Sequence, residues 1–251
     1  MGYGNQHRDG RHGVQAMRLD KLLSQCGFGS RKDVKALLKQ KTVTVDGEVI
    51  TQPETHVNPA SQIWVGGAPV VYEKYIYLMM NKPPGVVSAA HDRRDQTVID
   101  LLEERYGNAD LFPVGRLDKD TTGLVILSND GGFAHKALSP KKHVEKVYRA
   151  EVSRPVTVQD VAAFAQGVTL GDGYVCLPAV LSAVTENTAE VVIREGKFHQ
   201  VKRMFAARGI EVLALERVAF AGIALDKTLP PGEYRPLNMD EMRVIEGLLS
   251  H

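Results

Sequence analysis

Short β-rich apolar runs alternate with stretches of helical periodicity from about Tyr75 to the end of the chain. The predicted strands lie in YIYLMMNKP, GLVILSND, KVYRAEVS and TAEVVIREG, and the predicted helices in QTVIDLLEERYG, TVQDVAAFAQG and FHQVKRMFAARG. No internal repeat with a period of roughly 20 to 50 residues accompanies them. This mixture predicts an α+β fold, built on a mainly antiparallel mixed sheet with helices on its faces.

The composition is that of a soluble globular protein. The chain has 251 residues, of which 43% are hydrophobic and 24% are charged, enough for one large or two modest domains. Its 31 basic and 30 acidic side chains nearly cancel. Any surface for nucleic acid must therefore be a local concentration of positive charge.

Several classes of protein are disfavoured by what the chain lacks. Cys26 and Cys176 are its only cysteines, too far apart for a Cys-x-x-Cys site, and the histidines have no metal-binding spacing. No apolar run approaches the ~18 residues of a membrane span. The polar opening of residues 1–16 has no apolar core of a signal peptide and is predicted to be a flexible extension. We expect a cytoplasmic protein without a metal or another cofactor.

Two helices and a hairpin are predicted after this extension. Leu19, Leu22, Leu23 and Cys26 recur on one helical face. A second helix begins after Ser30, where a Ser-x-x-Asp pattern can cap it. The run TVTVDGEVI alternates around an Asp-Gly turn, which predicts a β-hairpin.

The outward face of the second helix is basic. Between Arg18 and Lys41 there are seven basic and two acidic residues, a net charge of +5 in a chain whose total is +1. The residues of this basic stripe on the helix are Arg31, Lys32, Lys35 and Lys39. Such a run is often only a solvated helix face, and it can also be an RNA-binding surface.

The segment RLDKLLSQCGFGSRKDVKALLKQKTVTVDGEVI resembles the S4 RNA-binding domain over its whole length. The resemblance implies that the basic stripe lies on structured RNA. Lys41 stands where a glycine is more usual. We place an S4-like RNA-binding domain at residues 17–73, ending in a linker within residues 66–74, and a catalytic domain at residues 74–251.

In FPVGRLDKDTTGLVILSNDG, Asp118 stands directly behind a Gly-Arg-Leu and ahead of a Thr-Thr-Gly. We predict a strand that ends near Leu117, a turn through Thr122 and Gly123, and then a second strand. Asp118 would follow the first strand, in a position that is common for functional groups in loops and also for residues that only cap a turn. Asp120, beside the threonines and the glycine, is the more natural capping residue.

The motif GRLDKDTTGLVILSNDG resembles the signature of the RsuA-type pseudouridine synthase family. NKPPGVVSA, EGKFHQVKRMFAARG and PPGEYRPL resemble three further family segments, so that the likeness extends over residues 17–237. It implies an RNA-modifying isomerase that needs no cofactor.

The same resemblance implies roles for five residues. Asp118 matches the catalytic aspartate, Tyr148 the tyrosine that stacks on the target base, and Lys202 the cation paired with the aspartate. Val201 matches an aliphatic residue against the base, and Arg116 an arginine that holds the flipped nucleotide or its phosphate.

Each of these residues also has an ordinary structural explanation. Tyr148 fits a strand aromatic, Val201 fits a helix core shared with Phe198 and Phe205, and Lys202 fits a solvated charge. Four matches in the family's order favour the catalytic interpretation. Chemistry agrees, because a carboxylate that attacks C1′ of a ribose must be ionised and a nearby cation keeps it so.

We predict that the substrate is ribosomal RNA, most naturally that of the small subunit (16S) in a partly assembled particle, and that the protein is a monomer. The alternatives are a large-subunit (23S) enzyme of the same family and a non-catalytic rRNA-binding assembly factor. A glycosidase would need a second carboxylate ~5 to 9.5 Å from Asp118. Asp120 and Asp130 are better explained by turns.

Overall fold

The computed structural model describes residues 15–250, which divide into two compact units. The first comprises the described chain up to Lys74 together with Glu103–Ala109, and the second comprises Tyr75–Leu102 and the chain from Asp110 onward. The predicted N-terminal extension lies, except for residues 15 and 16, outside the described residues. Among residues 15–250 no helix is long and apolar enough to cross a membrane.

The first unit contains the two predicted helices and the predicted hairpin. Its elements are β1 (Met17–Arg18), α1 (Leu19–Gln25), α2 (Arg31–Lys39), β2 (Val43–Val45), β3 (Glu48–Val49), β4 (His56–Val57), β5 (Ile63–Val65) and β6 (Ala68–Val70). A four-stranded antiparallel sheet has the order β3-β2-β5-β6, and β1 pairs with β4. The expected linker therefore contributes a strand, β6, to this sheet.

Both ends of α2 follow from local sequence. The Ser30 hydroxyl accepts a hydrogen bond from the Asp33 amide at 3.3 Å, and the Asp33 carboxylate accepts one from the Ser30 amide at 2.9 Å, which confirms the predicted capping box. Lys41, just past the helix, has a φ of 59°. Glycine adopts this left-handed conformation without strain, which explains why a glycine is more usual there.

The second unit is built on one large sheet. Its strands are β7 (Tyr77–Lys82), β8 (Phe112–Val114), β9 (Thr122–Ser128), β10 (Lys146–Val152), β11 (Val180–Ala183), β12 (Thr188–Ile193), β13 (Val212–Phe220), β14 (Ile223–Ala224) and β15 (Tyr234–Pro236). Its helices are α3 (Gly131–Leu138), α4 (Val158–Gln166), α5 (Gln200–Ala206) and α6 (Met239–Ser250).

The sheet has the order β11-β12-β10-β13-β9-β7-β15, with β14 beside β13 and β8 beside β9. The β13–β9 pair is parallel and the other pairs are antiparallel. The core against α3 and α6 is apolar, with Phe133, Phe220 and Ile245 fully buried. The prediction of an α+β fold with a mainly antiparallel mixed sheet is confirmed.

The prediction of a helix in residues 96–107 is wrong. The segment contains a short 3-10 helix, Glu104–Tyr106, and is otherwise not helical. Thr97 forms a bridge with Val87, and the Val98 amide donates to the Val87 carbonyl at 3.0 Å. Val98 is fully buried by this pairing. The start of the segment is thus paired with Val87, and its residues divide between the two units.

Candidate active site

The loop between β8 and β9, residues 115–121, presents Asp118. The Leu117 amide donates to the Ser88 hydroxyl at 3.1 Å, and the Thr121 amide donates to the Asp118 carbonyl at 3.1 Å. The expected turn through Thr122 and Gly123 is wrong, because both residues belong to β9 and the chain reverses before them. Asp118 therefore lies in the loop itself, with a side chain that is 26% exposed.

A buried lysine at the end of β7 holds this loop. Lys82 is fully buried, and its ammonium donates to the carbonyl oxygens of Pro83, Lys119 and Thr121 at 3.1, 3.2 and 2.8 Å. Burial lowers the pKa of Lys82 to about 8. Two of these carbonyls belong to the residues on either side of Asp120, so the ammonium fixes the backbone of the loop that carries Asp118.

The parallel contact of β9 with β13 requires a glycine. Gly123 has a φ of 97°, and a Cβ at this position would lie 2.4 Å from the Arg217 carbonyl oxygen. Arg217 is buried and its Nε donates to the Leu124 carbonyl at 2.8 Å. The Gly in the signature motif thus lets the strand after the Asp118 loop approach β13 closely.

Two basic side chains of the α5 region reach the Asp118 carboxylate. Lys202 Nζ lies 3.6 Å from Asp118 Oδ2, and His199 Nε2 lies 3.4 Å from Asp118 Oδ1. Lys202 Nζ also donates to Asp120 Oδ1 at 2.6 Å. That hydrogen bond lowers the pKa of the Asp120 carboxyl group. The explanation of Asp120 by a turn alone is incomplete, because its side chain is the hydrogen-bonding partner of Lys202.

His199 is a residue of this site that the sequence argument missed. It is the N-cap of α5 and has a left-handed backbone, with a φ of 48°. Its ring stacks on that of Phe198 at a centroid distance of 3.8 Å. A histidine directly before the Gln-Val-Lys of a family motif was the available signal.

The other predicted residues have different environments. Tyr148, on β10, is 8% exposed and lies opposite Arg217 of β13. Val201, on α5, is 4% exposed and belongs with fully buried Phe205 to the apolar interior. The alternative explanation places Val201 in a helix core with Phe198 and Phe205. Val201 and Phe205 are buried, whereas Phe198 is 77% exposed and does not belong to that core.

Arg116 is exposed, and among the described residues no hydrogen bond or ion pair engages its guanidinium. An open groove of about 580 Å³ borders Lys202 and is lined further by Ser153, Ala206 and residues 209–212. A free guanidinium near Asp118 in sequence and a groove beside Lys202 are features that a polyanionic chain can use.

The basic stripe lies in the first unit. Its four side chains are exposed, and no ion pair within the described part of the chain involves them. The residues are Arg31, Lys32, Lys35 and Lys39. None of the four charges is therefore held in a close ion pair within that part of the chain.

Comparison with known proteins identifies both parts of the chain. The family model described as RNA pseudouridylate synthase matches residues 76–207, and the S4 domain model matches residues 17–63. The chain belongs to the RNA pseudouridylate synthase family and carries an S4 domain. It is thus a pseudouridine synthase, a class of isomerase.

Its relatives are similar over nearly their whole length. The uncharacterized RNA pseudouridine synthase YtzG of Bacillus subtilis is 46% identical over 234 residues, which cover 91% of this chain and 98% of the relative. Ribosomal small subunit pseudouridine synthase A of Vibrio cholerae is 40% identical over 230 residues, covering 91% and 99%. A crystal structure of a pseudouridylate synthase superposes with a TM-score of 0.65 at 34% identity, covering 91% of this chain and 99% of the other.

Proposed function

We propose that this enzyme converts one uridine of ribosomal RNA, in the small subunit, to pseudouridine, with Asp118 as the nucleophile. The observation that carries the proposal is the partly exposed Asp118 carboxylate, with Lys202 at 3.6 Å and His199 at 3.4 Å. Relatives that are 40% identical are named for the small ribosomal subunit. The relative that is 46% identical carries no subunit in its name, so the large subunit is the competing substrate.

The reaction needs one nucleophile and no external oxidant or energy source. The N1–C1′ bond of uridine breaks, the base turns within the site, and C5 bonds to C1′. The C5 proton leaves and N1 takes up a proton, so the product is an isomer of the substrate. Asp118 attacks C1′, or assists formation of a glycal-like intermediate, as an ionised carboxylate that the Lys202 charge stabilises.

The target uridine must leave its stack to reach Asp118. Tyr148 provides an aromatic face for the everted base, which offsets part of an unstacking cost of a few kcal/mol. Val201 provides an aliphatic surface that keeps water from C1′, where it would cause hydrolysis. Exposed Arg116 holds the flipped nucleotide or its phosphate.

We assign docking on the RNA to the domain of residues 17–73 and the chemistry to the domain of residues 74–251. The uncompensated basic stripe of α2 contacts phosphates of structured RNA in a partly assembled subunit. The enzyme then acts as a monomer in the cytoplasm, where that RNA is assembled.

Mapping of pseudouridines on ribosomal RNA tests this substrate. Cells that lack the gene are expected to lose one pseudouridine of the small-subunit RNA, and a copy of the gene is expected to restore it. A copy encoding Asp118→Asn is the matched control and should not restore it. Loss of a site in the large-subunit RNA would replace the proposed substrate by the competing one, and an unchanged map would contradict both.

A further inference from the structure

Phe198 is an apolar side chain on the surface beside the catalytic carboxylate. It is 77% exposed, and its ring stacks on that of His199 with an interplanar angle of 17°. His199 Nε2 is 3.4 Å from Asp118. Single exposed apolar side chains are common on protein surfaces, so what distinguishes Phe198 is its stacking on His199, the residue that reaches the Asp118 carboxylate.

The backbone beneath this pair of rings is firmly held. The Gln200 side chain is buried, accepts a hydrogen bond from the Lys197 amide at 2.8 Å and donates to Glu195 at 2.7 Å. Glu195 accepts further bonds from the Leu177 amide and the Tyr174 hydroxyl. His199 is kept in a left-handed conformation that non-glycine residues rarely adopt. The rings are thus presented before any ligand arrives.

Basic and aromatic side chains surround the Phe198–His199 ring pair. Such a surface suits a ligand that carries both negative charges and aromatic bases. Lys202 pairs with Asp118 and Asp120, and Arg203 pairs with Asp172 and donates to the Phe198 carbonyl at 3.3 Å. Lys197 Nζ lies 4.8 Å from the centre of the Tyr174 ring. Aromatic side chains combined with basic groups are the usual surface for unpaired RNA bases, because every base offers a face for stacking.

We propose that Phe198, stacked on His199, is a platform for an unpaired RNA base that neighbours the target uridine. Eversion of the uridine leaves adjacent bases without a stacking partner, and Phe198 replaces it for one of them. The Phe198 side chain of the platform is 77% exposed, whereas Tyr148 and Val201 are buried. The inference rests on the proposed function for the place of the target, and it adds a contact to a second nucleotide.

A fluorescent RNA tests the platform without any need for turnover. The probe is a uridine-rich single strand of about ten nucleotides, within the range that such surfaces accommodate, with 2-aminopurine beside its central uridine. Stacking on a ring quenches 2-aminopurine. We expect quenching with the wild-type protein, and with Phe198→Ala we expect loss of quenching and about tenfold weaker binding.

Three variants make the result specific. Phe198→Trp is expected to retain both affinity and quenching, whereas Phe198→Leu, which keeps apolar volume without an aromatic face, is expected to behave like Phe198→Ala. Met239→Ala removes a similarly exposed apolar side chain of the same unit and should change neither signal. Unchanged quenching and affinity in Phe198→Ala, or full recovery in Phe198→Leu, would overturn the proposal.

The same probe distinguishes failure of the Phe198 platform from failure of the assignment of Asp118 as the nucleophile. Asp118→Asn should bind and quench like the wild type, since it keeps both rings. If Asp118→Asn proves active on ribosomal RNA, the assignment of the nucleophile fails while the quenching still decides the role of Phe198.

Discussion

The Lys202 ammonium lies closer to the Asp120 carboxylate than to that of Asp118, and the longer distance to Asp118 suits a nucleophile. The two distances are 2.6 Å to Asp120 and 3.6 Å to Asp118. A direct hydrogen bond would hold the attacking electron pair, whereas a cation at the longer distance attracts the carboxylate and leaves that electron pair free. Asp120 thus fixes Lys202 where its field reaches Asp118.

Replacement of Lys202 tests that arrangement at the scale of one residue. Lys202→Met keeps the apolar stem and removes the charge, and we expect kcat to fall by about 10²- to 10³-fold, the usual loss for one electrostatic group of an active site. Single-turnover formation of pseudouridine measures it. Lys119→Met is the control, because Lys119 lies on the loop that carries Asp118 but its ammonium pairs with Asp95 at 2.6 Å. Equal losses in both variants would contradict a specific role for Lys202.

At the scale of elements, a buried carboxylate joins α4 to the turn that follows α5. Asp160 is 1% exposed and accepts hydrogen bonds from Arg154 at 2.8 Å and from Arg208 at 3.1 Å. It also completes the capping box of α4 with Thr157. The interactions, with that from Arg154 the largest, place the pKa of Asp160 well below its usual range. The helix that carries Val201 and Lys202 is thereby tied to its neighbour.

Asp160→Asn is expected to lower the free energy of unfolding by about 2 to 4 kcal/mol at neutral pH, since two cations lose their buried partner. A lowered native pKa stabilises the fold above the unfolded value of ~3.9, and that contribution disappears as the pH falls below it. Urea unfolding at several pH values should show a steeper acid loss in the wild type than in the variant.

Asp240→Asn serves as the control for that measurement. Its pair with Arg243 is on the surface, with side chains 86% and 70% exposed, and its removal should leave stability unchanged. Equal effects of the two substitutions would show that the Asp160 network does not stabilise the fold.

At the scale of the whole molecule, a nearly neutral chain concentrates positive charge in the first unit. The segment between Arg18 and Lys41 has a net charge of +5, against +1 for all 251 residues. Exposure without ion pairs leaves the four side chains of the basic stripe available for phosphates. The proposed RNA contact and the proposed chemistry thus involve different parts of the chain.

Lys35→Ala combined with Lys39→Ala is expected to weaken RNA binding and to reduce the slope of log K against log salt by about 1.4 to 1.8, as for two lost phosphate contacts. The rate at saturating RNA should not change. Lys35→Arg with Lys39→Arg keeps both charges and should keep the slope. An unchanged slope in the alanine variant would mean that the stripe is only a solvated face.

The parts of this molecule that local pattern determines could be predicted from the sequence. The capping boxes and apolar spacing of α2 and α4 suffice for those helices, and the signature motif located Asp118. The contact of Asp120 with Lys202 could not be predicted, because the two residues are 82 residues apart and meet only in the folded chain. The helix predicted in residues 96–107 is interrupted at its start, because the backbone groups of Gln96 and Val98 bond to Val87.

Pseudouridine formation under single-turnover conditions, with Asp118→Asn and Asp120→Asn compared on a small-subunit RNA transcript, tests the central claim most directly. We predict no product with Asp118→Asn at unchanged RNA affinity, and continued product formation with Asp120→Asn, which retains the nucleophile and the cation. Conversion at the wild-type rate by Asp118→Asn would contradict the assignment of the nucleophile.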